Sequence, residues 1–165
     1  MNASTNRIMK QPNTENQELS CVLIPVGNSE LLLPNVSIAE ILPWRRVKPI
    51  ENADHWCLGV LGWRGEKIPV VRFEVLNGGG AVERRVGRCL VVMNRARSAK
   101  GRPFWALVAD GLPRILQLDD DDVTNQLDTT PGPAVSALVE VGTEPAVVPN
   151  LEYIEKALAQ LKSLD

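Results

Sequence analysis

A single histidine, three cysteines and a run of four aspartates are the residues whose types invite chemistry in this sequence. His55 stands alone, so neither a His-based triad nor an ordinary His-ligated zinc site has its parts. Cys57 lies two residues further on and would share a strand face with His55, a pairing that could activate a thiol. The plainer reading makes Cys57 a half-buried core residue, and we favour it. Cys21, Cys57 and Cys89 show no C-x-x-C spacing, so a thiolate zinc site is unsupported. Cys21 and Cys89 fall inside apolar runs, where cysteine behaves as a small hydrophobe. Their odd number and wide separation point to reducing cytoplasm. The aspartates at 119–122 lack the alternating pattern closed by glycine that wraps a calcium ion, and four consecutive acids repel one another. They read as a solvated loop. The glycines at 78–80 are followed neither by a Lys-Ser/Thr pair nor by a helix start that would cradle phosphate. The expectation is a protein with no catalytic residues, no metal and no cofactor.

Four tryptophans remain, Trp44, Trp56, Trp63 and Trp105, against two Phe and one Tyr. Tryptophan is seldom fully buried and is enriched at interface centres. Trp56 and Trp105 are expected in the core. Trp63 precedes Arg64 at an apparent tight turn and is read as either core or interface. Arg64 is either a solvated turn residue or a planar fork presented to a partner carboxylate.

The elements that position these residues are mostly strands. The chain of 165 residues carries 18 basic and 20 acidic side chains, a formal net charge of −2. That balance speaks against a nucleic-acid module, whose footprint is a basic face. Basic residues do gather over 84–102 and acids over 119–122, read first as local solvated faces and second as a polarised partner-binding surface. Residues 1–18 are polar and aperiodic, a disordered tail by expectation. They hold no apolar stretch of signal-peptide length, and nowhere do 18 apolar residues run together, so secretion and membrane insertion are not expected.

From Leu19 the chain turns apolar. Strands are expected over 19–26 and 30–33 around a turn at Gly27-Asn28, and over 59–63 and 67–75 around Arg64-Gly65-Glu66. Gly65 suits a position of positive φ. Residues 36–42 fit either a short helical turn or an irregular strand. Further strands are expected over 84–93, 104–109, 113–118, 134–141 and 146–148, with 119–133 as a linker. A helix of about 150–164 closes the chain: Asn150 is a good N-cap, and Leu151, Ile154, Leu158 and Leu161 line one face. Many short strands with Gly/Pro turns give a mainly β fold of small barrels or a sandwich.

Four segments in order resemble the chemotaxis coupling family, the CheW-like domains. They are Leu33-Pro34 with Val36 and Ala39-Glu40-Ile41-Leu42; Pro49 ahead of Trp56 and Gly59-Val60; Arg64-Gly65-Glu66-Lys67-Ile68-Pro69-Val70-Val71; and Leu107-Val108-Ala109-Asp110-Gly111. The resemblance covers about residues 19–165. It implies two small five-stranded β-barrel lobes with apolar packing between them. It also implies an adaptor that catalyses nothing and docks on the regulatory domain of a CheA-like histidine kinase and on the cytoplasmic tip of chemoreceptors. Arg64 then belongs to the coupling surface, and Glu40 lies near it.

Val36, Glu40, Trp63, Arg64 and Val70 are the expected interface, while Leu33, Ile41, Ile68 and Val71 are expected in the core. Two departures within the motifs stand out, Trp63 in place of a common Asn and Val71-Arg72-Phe73 in place of a hydrophobe–Asp–Leu run, and the N-terminal tail looks like an addition to the family pattern. The sequence most resembles the ChpC-type accessory adaptors of chemosensory systems that control type IV pili and twitching motility. The protein is expected to be cytoplasmic and monomeric alone. The alternative is a small nucleic-acid-binding barrel using the basic segment. It would want aromatic stacking platforms, and the single Tyr153 falls on the expected helix instead.

Overall fold

The structure, a computed structural model, describes residues 18–80, 86–94, 103–126, 130–161 and 164. The expected tail, except for Glu18, and most of the basic segment (84–85 and 95–102) lie outside the described residues. The strands are β1 (Leu19–Val26), β2 (Ser29–Pro34), β3 (Ile38–Pro43), β4 (Cys57–Trp63), β5 (Glu66–Val71), β6 (Cys89–Asn94), β7 (Phe104–Ala109), β8 (Arg114–Leu118), β9 (Val123–Asn125), β10 (Val135–Val141) and β11 (Glu144–Pro149). Two helices join them, α1 (Phe73–Leu76) and α2 (Leu151–Ala159).

The fold is mainly β, in two lobes. One sheet has the order β8-β1-β2-β11-β10-β9 and the other β3-β6-β7-β5-β4. The first therefore carries six strands where five were expected, the sixth being the three-residue β9 within the expected linker. Each sheet is antiparallel except for one parallel pair, β2 with β11 and β5 with β7.

Alternate residues of the central strands serve different cores. Val22, Ile24 and Val26 of β1 meet Val91, Met93, Trp105 and Leu107 of β6 and β7 in a core shared by both sheets, which α2 closes with Ile154 and Leu158. Their sequence neighbours point the other way. Cys21 and Leu23 fill the six-stranded lobe, and Leu90, Val92, Ala106 and Val108 fill the five-stranded one. A strand buried on both faces reads as an unbroken apolar run rather than an alternation, which is why LSCVLIPV, CLVVMN and FWALVA show no polar face.

Segment 36–42, open between two readings, contains both. A single 3-10 turn (Asn35–Ser37) runs into β3. The strand expected over 67–75 stops at Val71, and Phe73–Leu76 forms α1, burying Phe73 and Leu76. Helix α2 begins as expected, with the Asn150 carboxamide oxygen accepting from the Tyr153 amide at 3.0 Å. It ends at Ala159 rather than near 164, while Leu161 still packs on the shared core. Gly59 is required by close approach. Its φ is +145°, and a Cβ there would collide with the Lys48 carbonyl, which pairs with Val60 in a two-hydrogen-bond bridge (2.9 and 2.8 Å).

Candidate docking surface at the β4–β5 turn

Register pairs Trp63 with Glu66, leaving Arg64 and Gly65 as a two-residue hairpin loop. Their φ angles are +45° and +77°, the positive pair that a type I′ turn demands. Such a turn matches the twist of the flanking strands, and Gly65 adopts it freely. Arg64 does not, since a Cβ in the left-handed region costs roughly 1 kcal/mol. The hairpin thus holds a long cation in an unfavoured backbone state, with its side chain 68% exposed.

Trp63 stands underneath. It is only 5% exposed and meets Phe104 edge-on with ring centroids 4.8 Å apart. Its indole Nε1 donates to Glu40 Oε2 at 2.6 Å. The Arg64 guanidinium carbon lies 4.6 Å from the centroid of the same indole, and Arg64 Nη2 lies 3.6 Å from Glu40 Oε2. The three contacts are unequal. A short hydrogen bond to a carboxylate contributes about 1.5–3 kcal/mol. The arginine–indole stack adds about 0.5–1 kcal/mol at an exposed site, and an exposed ion pair about 0–1 kcal/mol. Glu40 is therefore held chiefly by Trp63, not by Arg64. Val36, on the 3-10 turn ahead of β3, is 81% exposed, and its carbonyl accepts from Asn94 Nδ2 at 3.0 Å.

The structure thus gathers Glu40, Trp63 and Arg64 and leaves Val36 outward on the approach to β3. It corrects the remaining candidate: Val70 is 0% exposed. Val70 lies on the inner strand β5, between β4 and β7, and packs inside the five-stranded lobe, where it supports the hairpin from within. Among the expected core residues, Leu33, Ile68 and Val71 are buried, but Ile41 is 42% exposed. A register shift between Ile38 and Glu40 breaks the alternation of β3. Such a bulge re-aims the residues beyond it, turning Ile41 outward and Leu42 inward.

The charged group that residue spacing did not disclose is Arg72, 2% exposed. Its Nη1 donates to both oxygens of Asp110 at 2.9 and 3.0 Å and lies 3.6 Å from Glu74 Oε2. Asp110 Oδ2 also accepts from the Gly27 amide at 2.6 Å, and the Asp110 amide donates to the Pro25 carbonyl at 2.8 Å. Arg72 follows β5 and Asp110 follows β7, whereas Gly27 turns β1 into β2. The ion pair therefore joins the ends of two neighbouring strands of one lobe, and Asp110, through Gly27 and Pro25, reaches the other. Arg72 is one of the two departures from the family pattern, and that anomaly was the available signal.

The other chemical candidates come apart. His55 is exposed and Cys57 buried, the thiol donating to the Gly59 carbonyl at 3.8 Å. All three cysteines are buried thiols outside any disulfide. Burial pushes the Cys21 and Cys89 thiols above the usual cysteine range, against a smaller opposing effect of Arg88 on Cys89. The aspartates at 119–122 build a 3-10 turn (Asp120–Asp122) capped by the Asp119 side chain, with Asp122 reaching back to the Asp119 amide.

Residues 20–157 match the CheW-like domain family. A curated relative, the chemotaxis protein CheW of Rhizobium meliloti (strain 1021), is 31% identical over 98 residues, 59% of this chain and 60% of that protein. The chain thus matches under two thirds of that relative's length. The crystal structure of the scaffolding protein TtCheW from Thermoanaerobacter tengcongensis superposes with a TM-score of 0.66 at 14% identity, over 81% of this chain and 89% of the other. The ordered motifs, the two-lobe fold and a match that spans most of the chain agree, and the protein belongs to the CheW-like domain family.

Proposed function

We propose that the protein is a non-catalytic adaptor that couples chemoreceptors to a CheA-like histidine kinase, working in the cytoplasm beside membrane-bound receptor arrays. The observation that carries the reading is the Arg64 guanidinium, exposed at a turn of positive φ, stacked on Trp63 and flanked by Glu40. A planar cation held against a ring keeps its N–H edge free for a partner carboxylate or carbonyl. Val36 and Ile41 supply exposed apolar surface on the neighbouring edge strand and its approach. A contact of this kind can be small, below about 1,200 Å² in total, as in transient signalling encounters. Among the described residues no helix is long and apolar enough to cross a membrane.

Titration calorimetry against the regulatory domain of the CheA-like kinase from the same cell tests the reading. Micromolar binding is expected, weakened at least tenfold, about 1.4 kcal/mol, by Arg64→Ala. Binding to neither that domain nor a soluble receptor-tip fragment would overturn it. The narrower assignment, an accessory adaptor of ChpC type acting on type IV pili, is supported by Trp63 and Arg72 standing where the family commonly carries Asn and Asp. A deletion strain of a pilus-bearing host should then spread by twitching over a smaller zone while swimming normally. The reverse pattern would assign the protein to swimming chemotaxis.

A further inference from the structure

In the five-stranded sheet, β3 and β4 are the two edges, with β6, β7 and β5 between them. No ladder joins these edges directly, yet Glu40 on β3 and Trp63 at the end of β4 are bonded at 2.6 Å. The sheet has curled until its edges meet, and at this point a side-chain pair spans the seam. A little further along, the outer side of β4 is covered by the Lys48–Val60 bridge. The residue that spans the seam is also the one against which Arg64 is stacked.

We infer that Trp63 is a positioning residue of the docking surface. Its N–H fixes the Glu40 carboxylate, its ring face fixes the Arg64 guanidinium, and the closed seam sets the spacing of the two charges. At 5% exposure it offers a partner almost no area of its own, so its contribution passes through its two neighbours. Glu40 spends one oxygen on the indole, and Arg64 spends one face on the ring. What is left outward is one carboxylate oxygen beside one guanidinium edge. That pair selects a partner segment carrying a carboxylate next to a hydrogen-bond donor, and it discriminates against a uniformly acidic one. The inference rests on the docking reading for its consequence, but the positioning itself is a property of the free protein.

The experiment has two readouts on the full-length chain. In proton–nitrogen spectra, the Trp63 indole N–H, assigned from its loss in Trp63→Phe, should move upfield in Glu40→Ala. It should stay nearly in place in Glu40→Gln, which keeps an acceptor oxygen. The Arg64 δ-methylene protons, shielded by the ring, should stay shielded in Trp63→Phe and lose the shielding in Trp63→Leu. Against the kinase regulatory domain, Trp63→Phe, which keeps the stack and loses the indole bond, should weaken binding about tenfold alone and add almost nothing once Glu40→Ala is present. An indole signal indifferent to Glu40→Ala, or unshielded Arg64 protons in the wild type, would overturn the inference. So would losses that multiply in the double variant. If the wild type binds no regulatory domain, the docking reading fails by itself, and the spectra still decide the positioning.

Discussion

At the scale of single residues, exposure separates what the protein presents from what holds it together. Arg64 is largely solvated and its ion pair with Glu40 is loose, so Arg64→Ala should change unfolding free energy by less than about 1 kcal/mol. Urea denaturation would check this beside the binding loss. Asp110→Ala is the opposite case. It strips Arg72, 2% exposed, of its bidentate partner, and breaking a buried pair costs roughly 3–5 kcal/mol. Glu74 at 3.6 Å remains, so the low end, about 3 kcal/mol, is expected from the same titration. A loss under about 1 kcal/mol would mean that the buried pair contributes little to the stability of the fold. The thiols offer a third test. All three are buried, and burial raises Cys21 and Cys89, so a disulfide reagent at neutral pH should react slowly with the native protein and fully after denaturation. Rapid labelling of the folded chain would contradict the packing. Residue-level legibility was uneven for a physical reason. The turn glycine announces itself locally, whereas the Trp63–Glu40 bond joins positions 23 apart in sequence and exists only once the sheet has curled. Val70 is buried and Ile41 exposed, against expectation, because a strand buried on both faces hides its orientation, and a bulge resets the alternation of another.

At the scale of elements, the strongest signals were the unbroken apolar runs of β1, β6 and β7, the β4–β5 hairpin and the capped start of α2. Each is decided by residues within one short window. The misses were elements decided elsewhere. Helix α1 is four residues long, too short for a helical period to show, and forms because Phe73 and Leu76 drop into the shared core. Strand β9 is three residues long and exists through pairing with β10. Gly59→Ala probes the closing of the five-stranded lobe directly. It forces a Cβ against the Lys48 carbonyl at a φ that side chains rarely adopt, so the Lys48–Val60 bridge should break. The amides of Lys48 and Val60 should lose their protection from hydrogen exchange, while those of β10 keep theirs. Asn150→Ala removes the cap of α2 and should cost about 1 kcal/mol, read as a lower denaturation midpoint at unchanged slope.

At the scale of the whole molecule, three cores make one body. Each lobe has its own interior, and the third core, between the sheets and under α2, is built from residues of both. Asp110, held by Arg72, adds a polar tie across the same junction through the Gly27 amide and the Pro25 carbonyl. Lobes joined in this way present the β4–β5 turn on a fixed frame, which suits the proposed coupling role. The two-lobe architecture was legible through the family's ordered motifs, because those motifs mark turns and strand ends that any such frame needs. Which partners it holds is not written in the frame. The most direct measurement is therefore co-sedimentation of the CheA-like kinase with membrane vesicles bearing its chemoreceptor, with and without this protein. The kinase should pellet with the receptor only when the wild-type chain is present, and far less with Arg64→Ala. Equal pelleting in its absence, or none in its presence, would contradict the coupling role.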